Sequence, residues 1–260
     1  MDDQKDWDDY AKRYVPSLAG AYHTHRLQVI RDVIFSPGGG GSRATTVDFG
    51  CGDGVLLEGM PGLRYGIDIS PDIIALARRR LGNDVELSVG GVESLGDVSA
   101  DSVNLLIAAN VLAYLDLEDE SCFYREARRI LRPGGRLITV HSNSLFDMYS
   151  LNYFTKTFFT AEFGADVAPL LTRTEKPERE NWFSVRENPL AYGVKLQELG
   201  FREQRQEYIN LHVRPPSLEH PSHWSDLDGK DFPSTLDVPR RNRWKLLFQC
   251  SQFVSESVVA

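Results

Sequence analysis

The chain has 260 residues, of which 42% are hydrophobic and 25% are charged, as in ordinary globular domains. Its net charge of −8 argues against a nucleic-acid partner, since nucleic-acid-binding proteins usually present a basic face. The sequence has no long uncharged apolar run, and its acidic first residues do not resemble a signal peptide, so neither a membrane span nor a signal is expected. The three cysteines lie far apart without a CxxC pair, which favours a reduced, cytoplasmic location.

The N-terminal part of the chain predicts a helical cap. Residues 8–34 carry apolar side chains at helical spacing, and Tyr10 and Tyr14, four residues apart, share one face. The run Ser-Pro-Gly-Gly-Gly-Gly-Ser at 36–42 then ends the helix. We therefore assign residues 1–42 to an N-terminal helical cap that precedes the core.

A glycine-rich loop organises the core. Residues 47–57, Val-Asp-Phe-Gly-Cys-Gly-Asp-Gly-Val-Leu-Leu, predict a strand, a tight loop and a helix N-terminus, where main-chain N–H groups can face a ligand. The spacing is G-x-G-x-G, whereas dinucleotide loops have G-x-G-x-x-G around a pyrophosphate. Asp48 and Asp53 would repel a pyrophosphate, and they suit a ligand that carries an ammonium or sulfonium group.

This loop resembles the cofactor loop of class I S-adenosylmethionine (SAM)-dependent methyltransferases. A second match is Leu-Arg-Pro-Gly-Gly-Arg-Leu at 131–137, and the resemblance covers roughly residues 47–140. It implies an α/β fold with a doubly wound Rossmann-like sheet, mostly parallel with an antiparallel last strand, and a helical or loop cap over the substrate. It also implies SAM as the cofactor of a SAM-binding core at 43–141.

The residues expected to hold SAM follow from the same comparison. Asp68 ends a second short strand about 20 residues after the first glycine, where a carboxylate can accept hydrogen bonds from both ribose hydroxyls. Ser70 and Pro71 already start the next helix, which leaves Asp68 for the ligand. In the glycine N-methyltransferase-like group, an arginine placed like Arg26 holds the methionine carboxylate. The predicted set is Tyr14, Arg26, Asp48, Gly50, Cys51, Gly52, Asp68, Ile69, Val92, Glu93, Asn110 and Tyr114.

Two segments match the family only in part. In the loop at 90–95, Gly91 stands where the family usually has an aspartate that accepts from the adenine amino group, so base recognition falls to the main chain of Val92 or to Glu93. The apolar run at 102–110 predicts a central strand buried on both faces. Its end places Asn110 near the methionine part of the cofactor or the reacting methyl group, because ligands bind beyond the carboxyl ends of such strands.

The second half of the chain departs from the core plan. Residues 142–187 are rich in aromatic side chains, and we interpret them as an inserted substrate cap, although most of these rings must pack against each other. Residues 188–260 are expected to supply the last helix and two strands, 205–213 and 244–254, with a lid loop at about 214–243. The candidate substrate contacts are Tyr10, Phe146, Tyr149 and Tyr153.

Candidate catalytic groups are few. Methyl transfer from SAM is an in-line displacement, so the protein must align the reactants, exclude water and remove one proton from the acceptor. His141, at the end of the fifth predicted strand, is a candidate base, as is His23 or His25 in the cap. His220 and His223 lie in a proline-rich loop segment and have no evident third ligand, so no metal site is predicted.

These features predict a methyltransferase that modifies an oxygen or nitrogen of a small molecule, such as a sugar or a specialised metabolite. The expected partner is this small-molecule acceptor, without nucleic acid or membrane, and a homodimer is left open. One alternative is an NAD-dependent oxidoreductase, which the glycine spacing and the lack of a Tyr-x-x-x-Lys motif disfavour. Another is a non-catalytic partner subunit of the same fold, although such a scaffold need not keep both the glycine loop and Asp68.

Overall fold

The computed structural model describes Trp7 and residues 20–36, 44–149, 186–212, 235 and 238–260. A seven-stranded sheet forms its centre. The strands are β1 (Thr45–Phe49), β2 (Leu63–Asp68), β3 (Glu86–Val89), β4 (Val103–Ala109), β5 (Leu131–Ser142), β6 (Phe201–Leu211) and β7 (Cys250–Val259). Their order is β3-β2-β1-β4-β5-β7-β6. Strands β1 to β5 pair in parallel, and β7 runs antiparallel to β5 and β6, which confirms the predicted mostly parallel sheet with an antiparallel last strand.

Helices cover both faces of the sheet. The helices are α1 (Ala21–Ile34), α2 (Pro71–Leu81), α3 (Leu117–Ile130), α4 (Ser144–Tyr149), α5 (Pro189–Glu198) and α6 (Leu246–Gln249), with 3₁₀ turns at Val92–Asp97, Leu112–Tyr114 and Arg240–Lys245. Side chains of α1 and α2 pack on one face, and those of α3 and α5 pack on the other. In β4, Leu106 joins one core and Ile107 the opposite one, which explains its continuous apolar sequence.

The helix predicted directly after the glycine loop is absent. Residues 52–59 form a series of turns instead, and residues 50–62 alone connect β1 to β2. Gly54, Gly59 and Gly62 all have positive φ, a conformation that cannot continue a right-handed helix. The prediction of a helix dipole at this loop is therefore wrong, and ligand contacts here depend on the turn's main chain.

Two strand boundaries also differ from prediction. The predicted strand at 244–254 begins only at Cys250, because α6 precedes it, and a short apolar run does not distinguish helix from strand. The amide of Asn143 donates to the main-chain oxygens of Leu247 and Cys250 at 2.7 and 2.8 Å, which satisfies carbonyls at the end of α6. Similarly, β5 already starts at Leu131, and the Pro-Gly-Gly element lies within it beside a register shift.

The start of α2 follows its sequence signal. Ser70 Oγ accepts a hydrogen bond from the Ile73 N–H at 3.2 Å, and Pro71 occupies the first turn. This arrangement confirms the predicted serine cap and satisfies one of the unpaired N–H groups at the helix start. Within the described part of the chain, no helix combines the length and the apolar character needed to cross a lipid bilayer.

Replacing Ser70 with alanine should lower the free energy of unfolding by about 1 kcal/mol, because the Ile73 N–H loses its acceptor in a buried setting. Urea denaturation followed by circular dichroism measures this change. Ser121→Ala is the matched control, since the Ser121 hydroxyl donates to the Leu117 carbonyl on the exposed surface of α3 and caps no helix. Equal stabilities for Ser70→Ala and the parent protein would contradict the capping role.

Candidate functional site

A cavity of about 720 Å³ opens at the carboxyl ends of β1, β2, β3 and β4, with α1 along one side. This is the edge at which open α/β sheets bind ligands. The structure brings almost all of the predicted cofactor residues to this cavity. Those that line it are Arg26, Asp48, Gly50, Cys51, Gly52, Asp68, Ile69, Val92, Glu93, Asn110 and Tyr114.

The glycine loop forms the floor of the cavity. The N–H groups of Gly50 and Cys51 donate to the Ile67 carbonyl at 2.8 and 2.9 Å, which ties the loop to the end of β2. Gly50 has φ +69°, and a Cβ built on it would lie 2.5 Å from Val111 Cγ2. Glycine is therefore required by both the backbone angle and the close approach. Burial raises the pKa of the Cys51 thiol well above its usual value, consistent with a small packing residue.

Asp68 fixes the loop from the other side. Its Oδ2 accepts from the Gly52 N–H at 3.0 Å and its Oδ1 accepts from the Ser70 N–H at 3.1 Å. Each carboxylate oxygen can accept a second hydrogen bond. The expectation that Ser70 leaves Asp68 entirely to the ligand is too simple, because Asp68 also positions the main chain of the glycine loop.

The two carboxylates predicted to select a cationic ligand have different surroundings. Asp53 forms an ion pair with Arg80 and does not line the cavity. Asp48 lines the cavity, is 1% exposed, and neither of its oxygens has a hydrogen-bond partner among the described residues. Burial, followed by the charges of Asp68 and Asp53, raises the pKa of Asp48 well above its usual value. Of these two carboxylates, therefore, only Asp48 lies at the cavity.

Helix α1 contributes a cation and an imidazole. Arg26 lines the cavity and makes no ion pair with any described residue. His23, one helical turn before it, also lines the cavity. Burial and the nearby Arg26 charge lower the pKa of His23 to about 3, so His23 is neutral at physiological pH. Their i,i+3 spacing could have indicated from the sequence that they share a face.

The mouth of the cavity has an aromatic edge. Tyr114 packs edge-to-face against Trp7, with ring centroids 4.9 Å apart and an interplanar angle of 88°. Both residues line the cavity, as does Asp119 at the start of α3. Trp7 and Asp119 were missed by sequence reasoning. No local signal connects Trp7 with Tyr114, since more than a hundred residues separate them.

The structure brings neither of the two main candidate bases to the cavity. His141 is 2% exposed and packs beside the rings of Tyr192 and Phe253 at 4.5 and 5.4 Å. His25 Nδ1 lies 2.9 Å from the Asn210 side-chain oxygen on β6. His23 and His25 are two residues apart on α1 and so point to nearly opposite sides, which explains why only His23 lines the cavity.

The predicted substrate contacts are mostly outside the described residues. Phe146 is fully buried against the His212 ring at 4.8 Å and does not line the cavity. Tyr149 ends α4, and nothing is described of its side chain. No metal-binding cluster occurs among the residues that the structure describes. The positions that lie outside them are Tyr10, Tyr14, Tyr153, His220 and His223, together with most of 142–187 and 214–243.

Sheet and site agree with the fold that the resemblance implied. The sheet is mostly parallel with antiparallel β7, and the glycine loop lies below a cavity at the strand ends. Residues 47–139 match the family described as Methyltransferase domain. Residues 47–139 therefore form a methyltransferase domain, and over these residues the resemblance stated from the sequence is confirmed.

Curated relatives match over part of their length. The chain is 30% identical over 136 residues to a ubiquinone biosynthesis O-methyltransferase of Xanthomonas oryzae pv. oryzae, covering 50% of this chain and 53% of that protein. It is 36% identical over 110 residues to a malonyl-(acyl-carrier protein) O-methyltransferase of Hahella chejuensis, covering 39% and 38%. The chain thus spans about half the length of the first of these relatives and 38% of the second.

Solved structures match over nearly the entire chain. Magnesium protoporphyrin IX methyltransferase from Synechocystis, with bound S-adenosylhomocysteine (SAH), superimposes with a TM-score of 0.57 at 14% identity, covering 96% of this chain and 94% of that one. A SAM-dependent methyltransferase from Archaeoglobus fulgidus gives a TM-score of 0.55 at 17% identity, covering 89% and 92%. These likenesses show that the fold is shared.

Proposed function

We propose that the protein transfers a methyl group from SAM to an oxygen or nitrogen of a small molecule. The observation that carries this proposal is the cavity at the strand ends, which combines the glycine loop with Asp68 in a domain of the methyltransferase family. The two curated relatives named above are O-methyltransferases, which favours an oxygen acceptor. In more detail, we propose that the acceptor is a sugar or a specialised metabolite.

Each side of the cavity has a proposed role in binding SAM. Asp68 accepts from the ribose hydroxyls, since both of its oxygens are already oriented by main-chain donors. Arg26 binds the methionine carboxylate through a charge-assisted contact, and Asp48 faces the ammonium group. Ile69, Asn110 and Tyr114 complete the wall. In the proposed complex, Arg26 and Asp48 thereby present opposite charges to the two ends of the amino-acid moiety.

Glu93 is the proposed contact of the adenine amino group. Its Oε1 accepts from the Gly91 N–H at 2.8 Å, and a Cβ on Gly91 would lie 2.7 Å from Oε2. The Glu93 carboxylate thus occupies the space that a larger residue at position 91 would need. This supports Glu93 as a replacement for the aspartate that the family usually has there, with the Val92 main chain as the alternative contact.

The chemistry requires few protein groups. SAM, when bound, supplies a methyl group on a sulfonium sulfur, and this sulfur is a good leaving group because it departs as the neutral thioether of SAH. Aligning the acceptor with that group in a dry cavity can contribute on the order of 7–11 kcal/mol to lowering the barrier. Of the three histidines considered from the sequence, His23 alone lines the cavity, so we propose it as the group that takes the acceptor's proton. A hydroxyl oxygen becomes strongly acidic as it gains a methyl group, so even a weakly basic imidazole can accept its proton.

Calorimetry with SAM, SAH and NAD tests the cofactor, and turnover on a panel of hydroxyl and amine acceptors tests the activity. We expect SAM and SAH to bind and NAD to fail. Binding of NAD with rejection of SAM would overturn the proposal in favour of an oxidoreductase. SAM binding without turnover of any acceptor would favour a non-catalytic partner subunit of the same fold.

We also propose that the protein is cytoplasmic and works in a reduced environment. All three cysteines are unbridged, and Cys51 and Cys250 are buried, where a thiol is protected from oxidation. A homodimer remains part of the proposal, and sedimentation of the purified chain tests it by the mass of the main species.

Arg26→Ala should weaken SAH binding about tenfold, because the ligand's carboxylate loses a charge-assisted partner. Titration calorimetry of the variant measures the change. Arg79→Ala is the matched control, since Arg79 is an exposed arginine of α2 that does not line the cavity. Methylthioadenosine, which lacks the amino-acid part, should bind Arg26→Ala as well as the parent protein. An equal loss for both ligands would contradict the carboxylate contact.

A further inference from the structure

Three carboxylates surround the glycine loop, and two of them already have protein partners. Asp53 is paired with Arg80. Asp68 accepts from two main-chain N–H groups. Asp48 lines the cavity at 1% exposure, and neither of its oxygens has a hydrogen-bond partner among the described residues. The carboxyl group of Asp48 is thus buried at the cavity without a hydrogen-bond partner among the described residues.

An ionised carboxylate is strongly disfavoured in this position. Removal from water opposes its charge, and the two neighbouring carboxylates, Asp53 and Asp68, oppose it further. The other ionisable groups described around the same cavity are Arg26 and His23 from α1, Cys51 from the loop, Glu93 beside β3 and Asp119 from α3. His23 and Cys51 are neutral at physiological pH for the reasons given above. Burying a neutral carboxylic acid costs far less than burying the anion.

We propose that Asp48 is a protonated carboxylic acid in the empty cavity and that the ammonium group of the arriving cofactor displaces this proton. The inference rests on the proposed function and goes beyond it, because it assigns a proton exchange to cofactor binding. The Asp48 O–H bond breaks, the proton passes to solvent, and the carboxylate then accepts a hydrogen bond from the ammonium group. The ammonium group takes the place of the Asp48 proton, so the net charge of Asp48 together with its bound cation does not change.

The exchange determines how binding varies with pH. Below the pKa of Asp48 in the empty cavity, the acid must lose its proton before the cation can bind, so affinity should rise with pH by up to about tenfold per unit. Above that pKa, Asp48 is already ionised and affinity should become constant. The number of protons released should accordingly fall from near one per site to zero across the same range.

Titration calorimetry of the full chain with SAH tests the exchange directly. Binding is measured at about pH 6 in two buffers of different ionisation enthalpy, such as phosphate and histidine, because released protons add the buffer's own heat. We expect the observed enthalpies to differ in the sense of proton release, by up to one buffer ionisation per site. Equal enthalpies in both buffers would overturn the inference while leaving the proposed function intact. A complete lack of SAH binding would overturn both.

Asp48→Asn is the decisive variant, because asparagine keeps the shape of the aspartate side chain but has no carboxyl proton to release. Its binding enthalpy should be the same in both buffers, and its affinity should be nearly independent of pH and about tenfold lower than the parent's where the parent affinity is constant. Asp53→Asn is the matched control. It removes a carboxylate of the same loop that is paired with Arg80. It should retain most of the proton release, because burial and the Asp68 charge, the larger causes of the raised Asp48 pKa, are unchanged. Release of the same number of protons by Asp48→Asn would overturn the inference.

Infrared difference spectra provide a second readout that needs no affinity. SAH should remove the absorption of one protonated carboxyl group from the parent protein, because the acid becomes a carboxylate. The same band should be missing from Asp48→Asn with or without SAH, and present in Asp53→Asn. Persistence of the acid band in the saturated parent protein would overturn the proposal.

Discussion

Asp68→Ala is expected to weaken SAH binding by about 100-fold. The carboxylate is proposed to accept from two ribose hydroxyls, and hydrogen bonds to a charged group contribute about 1.5–3 kcal/mol each. The substitution also leaves the N–H groups of Gly52 and Ser70 without their acceptor, which loosens the loop against which the cofactor lies. Titration calorimetry of the variant with SAH measures the loss.

Asp72→Ala is the control for this experiment, because it removes an exposed carboxylate from the first turn of α2 and should leave SAH affinity unchanged. Asp68→Ala should also unfold at a lower urea concentration, by about 1–3 kcal/mol in free energy, since two buried donors become unpaired. Stability loss with undiminished SAH affinity would show that Asp68 only holds the loop, and the ribose assignment would then be wrong.

Gly50→Ala should lower the free energy of unfolding by about 3 kcal/mol and SAH affinity by at least about tenfold. A positive φ costs an L-residue about 1–2 kcal/mol, and the new Cβ would lie 2.5 Å from Val111 Cγ2, an overlap that typically costs about 1–3 kcal/mol. Relieving the overlap moves the loop main chain that forms the cavity floor. Urea denaturation and calorimetry measure the two effects.

Two further variants separate the cost of the backbone strain at positive φ from the cost of the steric overlap with Val111. Gly59→Ala meets no atom within 4 Å, yet Gly59 has φ +74°, so it should show the strain alone, about 1 kcal/mol. The double variant Gly50→Ala with Val111→Ala removes the overlapping side chain and should recover part of the loss relative to Gly50→Ala. Failure to recover any stability would mean that the contact with Val111 does not limit position 50.

Local patterns were sufficient to predict most of the core. The apolar runs of β1 and β4, the acid that ends β2 and the serine cap of α2 all depend on neighbours within a few residues, so their spacing in the sequence carries the signal. At Asn104 of β4 the family usually has an aspartate, and the side-chain oxygen of Asn104 accepts from the Thr45 N–H at 2.9 Å. An amide oxygen can accept that bond as a carboxylate oxygen would.

The wrong predictions concern segments in which local signals compete. After the glycine loop, apolar residues favoured a helix, but glycines with positive φ at 54, 59 and 62 enforce turns. Before β7, a short apolar run suited a strand, yet it forms α6, whose terminal carbonyls accept from the distant Asn143 amide. A partner more than a hundred residues away leaves no mark in the local pattern.

The sequence by itself determined the class of fold, the glycine loop and a set of cofactor residues of which nearly all lie at the cavity, because these follow from short-range spacing. Only the tertiary structure decided which charged groups lie at the cavity. Asp53 pairs with Arg80, and Asp48 lines the cavity. His25 contacts the Asn210 side chain of β6, and His23 lines the cavity. The direction of a side chain relative to a distant element is a property of packing, and the residue's own neighbours in the chain do not contain it.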